Sequence, residues 1–271
     1  MELSKDASPA LWREAIRCGD YQSPTSGLAG GFLQGNLVIV PNSFADAFEG
    51  FCRANPKPCP LLARSSTPGN PSMPSLGLNI DIRTDLPRYR CWRNGALEAE
   101  TPSLKDYWEP EDVAFVLGCS FSFDEALVAA GIELRHLTQN TNIPMYRTSI
   151  PCFEVGPFKG NMVVSMRPML PEDAVVATRI SGDYTEAHGS PVHSGDPLAI
   201  GIADLEQPDF GDPVSLKPNE VPIFWACGVT PQVVLENAKL PRAFTHAPGH
   251  MLITDITHED FHEIGKASRQ P

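Results

Sequence analysis

The chain has 271 residues, a formal net charge of −12, and 42% apolar and 20% charged residues. That balance is ordinary for a globular protein, and a chain of this length buries most of its apolar surface without metal or disulfide staples. The acidity argues against a nucleic-acid or anionic-membrane surface, and the longest uncharged stretch, residues 21–45, is interrupted throughout by Gly, Pro, Gln and Asn and makes a poor membrane span.

The N-terminus carries no apolar signal core and no basic leader, so a cytoplasmic location with seven reduced cysteines is expected. In chain order, Ser8 followed by Pro9 predicts the start of a short helix over residues 9–18. Residues 24–31, PTSGLAGG, read as a turn-rich loop, and residues 36–40 as a short strand or buried helix segment. Residues 43–52 have helical spacing. Residues 55–80 are rich in Pro, Ser and Gly and read as irregular, and Asn94-Gly95 marks a hairpin turn within residues 81–101.

Residues 113–117 read as a buried strand, followed by a helix capped by Ser122 and ended by Gly131. Residues 162–166 read as another strand, and Pro171-Glu172-Asp173 opens a helix. Residues 221–226 are a strand, with Thr230-Pro231 starting the helix behind it. Strands alternating with helices predict an α/β fold with some parallel sheet.

One pattern occurs twice. Residues 113–124, VAFVLGCSFSFD, and residues 221–232, VPIFWACGVTPQ, align without a gap. Both read as apolar strand, small residue, cysteine, small residue, apolar residue, hydroxyl cap and helix. Each helix is followed by a predicted strand holding a histidine, His136 or His246. A thiol at a strand end facing a helix N-terminus meets unpaired backbone N–H groups and the positive end of the dipole, which lowers its pKa. Open α/β sheets also place ligands at the carboxyl ends of their strands. Cys119 and Cys227 are therefore candidates to flank one substrate. The competing reading is that cysteines fill small buried spaces, and it is the default for Cys18, Cys52, Cys59, Cys91 and Cys152.

His246 and His250 surround a Pro-Gly turn in THAPGHM, residues 245–251, and are candidate acid or base groups. The loop with His188, His193 and Asp196 reads as a structural turn. His258-Glu259-Asp260-Phe261-His262 matches HExxH in form, but it lies in an acidic segment near the C-terminus and reads as a chance match. No cysteine pair has zinc-finger spacing, and no metal or other cofactor is expected. Consecutive N–H groups around Thr25, Ser26 and Gly27 form a candidate anion nest, and Asn36 is grouped with them as substrate-binding. No Gly-rich nucleotide motif follows a clear strand. Of Arg83, Arg88, Arg90, Arg147 and Arg167, all near predicted strand ends, Arg147 in PMYRT is the chosen carboxylate clamp.

The blocks PTSG (24–27), RTDLPRYR (83–90), LGCSF (117–121), PMYRT (144–148), SMRP (165–168), FWACGVTPQ (224–232) and THAPGHM (245–251) occur in that order. Together they resemble the D-glutamate cyclase family, whose bacterial members carry a hydro-lyase label. The resemblance spans about residues 10–256. Where the family has proline after Gly-Leu-Ala, this chain has Gly30. The resemblance implies an α/β core, a mixed or largely parallel sheet with helices on both faces, plus a smaller inserted α/β domain. The smaller domain is placed at residues 151–215, with residues 1–150 and 216–271 forming the main domain.

The resemblance also implies a carbon–oxygen lyase that closes D-glutamate to 5-oxo-D-proline with loss of water. Arg147 is then the expected clamp, His250 or His246 the base, and Cys119 and Cys227 acid/base or positioning groups. The expected partner is a small-molecule carboxylate, and a homodimer is the assembly admitted. Two rivals stand beside this reading: a cofactor-independent two-cysteine amino-acid racemase or epimerase, and a non-catalytic binding module for a small carboxylate or lactam.

Overall fold

A computed structural model describes residues 3–261. The elements run α1 (Pro9–Cys18), β1 (Phe32–Pro41), α2 (Asn42–Ala54), β2 (Leu61–Arg64), β3 (Tyr89–Arg93), β4 (Ala96–Thr101), β5 (Asp112–Gly118), α3 (Phe121–Ala129) and α4 (Arg135–Thr138). They continue with β6 (Met145–Pro151), β7 (Asn161–Met169), α5 (Pro171–Asp183), β8 (His193–Ser194), β9 (Val221–Ala226), α6 (Thr230–Ala238), β10 (Ala243–His246) and β11 (Leu252–Thr257). No helix among the described residues is long and apolar enough to cross a membrane.

Local chemistry accounts for several boundaries. Pro9 opens α1, and Gly19 closes it at φ +84°, its N–H donating to the Ala15 and Ile16 carbonyls. Asn94 and Gly95 both adopt positive φ between β3 and β4, as a primed two-residue hairpin turn requires. His136 lies in the short helix α4 rather than in a strand.

The strands form a seven-stranded sheet, ordered β2-β5-β1-β10-β3-β4 with β11 also on β1, and a four-stranded sheet ordered β6-β7-β9-β8. Every strand pairing among the described residues is antiparallel. This corrects the expectation of a largely parallel sheet. A parallel pair needs a helical crossover between neighbouring strands of one sheet. Here the chain leaves β5 and α3 for β6 in the other sheet, and leaves β9 and α6 for β10 in the first. Nor does the range 151–215 hold a sheet of its own, because β7 pairs with β6 and β9, which reach beyond it on either side. A separate inserted domain is not shown.

Alternation along the strands divides the core. Val38, Val40, Val113, Phe115 and Leu117 face a cluster that also takes Val164, Met166, Phe224 and Ala226 from the second sheet. Leu37, Ile39, Ala114 and Val116 point the other way, onto the segment containing Met73, Ile82 and Leu86. The largest core therefore joins the two sheets, with α2 packing Phe48 against Phe115 at 5.0 Å between ring centres.

Candidate active site

The two repeated units end at one place. β5 runs into Cys119 and β9 into Cys227, and both side chains line one cavity together with Asn36, Asn142, Phe121 and Met145. The cavity holds about 260 Å³ of space between atoms, though its centre is wide enough for only about one water molecule. The helices α3 and α6, nine residues each, begin just beyond the two cysteines. Each thiol has a hydrogen bond with the backbone two positions on, at Phe121 for Cys119 and at Val229 for Cys227. The repeat seen in the sequence thus recurs as a repeated contact, in two different sheets.

The lowered thiol pKa expected from those contacts does not survive burial. Desolvation raises Cys227 to about 11 and raises Cys119 further, against the backbone hydrogen bonds and the Arg167 charge, which act downward. Cys119 and Cys227 are only 6% and 8% exposed, and in so dry a setting the neutral form wins. Both groups are thiols, not thiolates, near pH 7.

Two amide side chains complete the polar lining. Asn36 Nδ2 donates to the Gly118 carbonyl at 2.6 Å. Its amide lies against Gly228, where a Cβ would come within 2.0 Å of Nδ2. Gly249 makes room for Asn142 in the same way, since a Cβ there would come within 2.9 Å of Nδ2. Asn142 Oδ1 is buried without a hydrogen-bond partner, an acceptor left for something in the cavity.

The other predicted site residues are placed elsewhere. Arg147 lies farther along β6 than Met145, and its guanidinium binds both oxygens of Glu236 at 2.9 Å, with Asp209 close by. It is therefore occupied by carboxylates of the chain itself and does not line the cavity. His246 is fully buried on β10, where Nδ1 accepts the Leu37 N–H at 3.2 Å and burial lowers its pKa to about 3. His250 is half-buried, with Nδ1 donating to the Pro248 carbonyl at 3.0 Å, and burial lowers its pKa as well. Gly249 and Met251 on either side of it line the cavity, but His250 does not.

Thr25 supports the site from behind. Its Oγ1 accepts the Met251 N–H at 3.0 Å and donates to Gln34 Oε1 at 2.8 Å, while its own N–H donates to the Gly249 carbonyl at 2.8 Å. The Leu28 and Ala29 amides donate to the Thr25 and Lys5 carbonyls, so these two and the Thr25 amide are taken up by the protein's own acceptors. Ser26 Oγ is buried without a partner, and Gly27, at φ +73°, faces Leu137. Neither lines the cavity. No group of three or more His, Cys, Asp or Glu side chains that could hold a metal occurs among the described residues. Of the HExxH match, His258 binds Glu186 and stacks on Tyr184, and His262 lies outside the described residues.

The D-glutamate cyclase family model matches residues 113–255, a little over half of the chain. The chain belongs to the D-glutamate cyclase family. A relative from Rhodopseudomonas palustris (strain TIE-1) named "Putative hydro-lyase" is 55% identical over 244 residues, covering 90% of this chain and 89% of the relative. One from Verminephrobacter eiseniae with the same name is 55% identical over 248 residues, covering 92% and 90%. Among solved structures, a nitrogen repressor-like protein from Methanococcus jannaschii aligns over 93% of this chain and 99% of its own, at 9% identity and a TM-score of 0.38, too low to speak for a shared fold.

The stretch matched by the D-glutamate cyclase model spans both cysteine units and also contains Asn142 and Arg167, whose places at the site the sequence does not single out. Asn142 carries no sequence signal of its own. Arg167 was one of five arginines near strand ends, and nothing in its neighbourhood marked it as the one that would be buried. The usable hints were Gly228 and Gly249, small residues beside Cys227 and His250 that the folded chain needs as seats for the two amides.

Proposed function

We propose that this chain is a carbon–oxygen lyase that closes D-glutamate, or a related acidic amino acid, to 5-oxo-D-proline with loss of water. One observation carries the reading: two thiols from repeated units in separate sheets line a single cavity with two amide side chains. Family membership and the hydro-lyase names of the relatives support it.

In this reaction a bond forms between the substrate nitrogen and its γ-carboxyl carbon, and a carbon–oxygen bond of that carboxyl breaks. Two protons leave the ammonium group and depart with the oxygen as water, so the acid/base traffic balances within the site. The substrate's own γ-carboxylate takes the first proton from the ammonium, freeing the amine to attack. A neutral thiol then gives a proton to the departing hydroxyl, which leaves as water, and the thiolate so formed takes the second proton from nitrogen. Asn142 Oδ1 is the acceptor for the ammonium. Asn36 and the N-termini of α3 and α6 face the carboxylate oxygens and the developing oxyanion. Holding amine and carboxyl in near-attack geometry supplies much of the rate. Since the cavity has room for about one water, substrate entry requires its walls to part.

The test is incubation with D-glutamate, L-glutamate, other short acidic compounds and 5-oxo-D-proline in D2O, followed by mass spectrometry. Ring closure without deuterium at Cα supports the lyase. Two thiols facing one cavity would also serve proton removal and return on opposite faces of Cα, so deuterium at Cα without ring closure overturns the lyase in favour of a racemase or epimerase. Thermal stabilisation by these compounds with no product would leave a binding module.

A further inference from the structure

Beneath the two cysteine turns lies a buried ion pair that the proposed reaction does not use directly. Arg167 on β7 is 1% exposed. Its Nε and Nη2 donate to Asp124 Oδ1 at 3.1 and 2.6 Å, Nη2 donates to Ser120 Oγ at 3.2 Å, and Nη1 donates to Ser165 Oγ at 3.3 Å. The guanidinium carbon sits 5.0 Å from the Phe123 ring centre and 5.2 Å from that of Trp225. Asp124 Oδ2 is 3.1 Å from His136 Nε2.

The placement is the informative part. Ser120 follows Cys119 directly and lines the cavity, and Asp124 lies on the helix that Cys119 precedes. Trp225 stands two residues before Cys227, on β9, opposite Ser165 of β7. One cation therefore touches the strand, turn or helix on both sides of the repeat. Such a pair is an expensive way to stabilise a core, because apolar side chains of similar size often do as well or better.

We propose that Arg167, held by Asp124, is a positioning residue shared by the two thiols, tying the Cys119 turn to the strand that ends at Cys227 and presenting one positive charge to both. The proposal rests on the reading of Cys119 and Cys227 as the reacting groups. The titratable groups acting on Cys119 are Cys227, Asp124 and Arg167, and Arg167 also acts on Cys227. Around the pair itself stand His136 on α4 and His188 after α5. In this arrangement Arg167 favours each thiolate, and Asp124 opposes that of Cys119.

The test reads the thiols rather than turnover, so it stays separate from the question of substrate. Alkylation of the full chain by iodoacetamide is followed from neutral to alkaline pH, and modification at Cys119 and Cys227 is quantified by peptide mass spectrometry, with exposed Cys18 as internal reference. Arg167→Met removes the charge at similar volume and is expected to slow alkylation at both sites at least about tenfold at a given pH, the effect of one nearby charge. Asp124→Asn leaves the guanidinium uncompensated and is expected to speed alkylation, moving the Cys119 profile to lower pH. General loosening of the fold would speed both variants alike. Opposite directions support the proposal. The same direction in both variants, or unchanged profiles, would overturn it. Should Arg167→Met fail to fold, Asp124→Asn decides alone: no downward shift at Cys119 sinks the proposal.

Discussion

Asn36 and Gly228 are packed so closely that a methyl group on Gly228 would lie 2.0 Å from Asn36 Nδ2. Asn36 belongs to the central strand of the first sheet, and Gly228 follows the cysteine at the end of a strand of the second. The contact seats the Cys227 turn on β1, and it holds the amide that donates to Gly118 beside Cys119. Gly228→Ala must push Asn36 off that carbonyl. The expected result is a loss of at least about tenfold in turnover with a stability cost of about 1–3 kcal/mol, measured by ring-closure kinetics and urea unfolding. Unchanged turnover would show that the seat has no bearing on the chemistry.

The thiols themselves give a sharper prediction. Cys119→Ala and Cys227→Ala should each lower turnover at least about a hundredfold if a proton passes through the sulfur. The double variant should be little worse than the poorer single one, because groups on one proton path are not additive. Near-additive losses would mean that the two sulfurs act independently.

Arg147 leads to the opposite expectation. Its side chain is 41% exposed and its guanidinium already bound to Glu236, and an exposed ion pair of this kind contributes at most about 1 kcal/mol. Arg147→Ala should leave kcat and KM for the acidic substrate within about twofold. A large rise in KM alone would restore it as a substrate clamp.

Acid should unfold the protein through its buried histidines. His246 and His188 are kept neutral by desolvation, with pKa values lowered to about 3 and about 4. Near pH 7 they are largely neutral in both folded and unfolded chains, so they contribute little to the difference there. Below about 6.5 the unfolded chain takes up protons first, and stability is lost progressively as pH falls towards the folded values, on the order of 5–10 kcal/mol in all. Urea midpoints between pH 7 and 4 measure the slope. His246→Gln keeps an acceptor for the Leu37 N–H, and it should flatten that slope even if it lowers stability at pH 7.

Much of the local structure was legible in the residues. The Asn94-Gly95 turn, the Pro9 and Pro171 helix starts, and the strand–Cys–helix units at 113–124 and 221–232 all stand where the pattern placed them. The caps were less legible. Ser122 does not cap α3; its Oγ accepts the Gln34 N–H at 3.1 Å instead, a partner from distant sequence. Arg147 and Arg167 looked alike as arginines near strand ends, and one became exposed while the other became buried. His246 and His250 looked alike as turn histidines, yet neither reaches the cavity that their neighbours Gly249 and Met251 line.

The order of residues by itself determined where strands, turns and helices lie, and that two cysteines occupy equivalent positions, because period, caps and turn chemistry act over a few neighbouring residues. Tertiary structure decided that the repeated units belong to different antiparallel sheets and that their sulfurs meet at one cavity. It also decided that those sulfurs stay protonated and that Arg167 rather than Arg147 lies beneath them. Strand partners and local dielectric are set by groups far apart along the chain, and they take their values only once the two sheets close on each other.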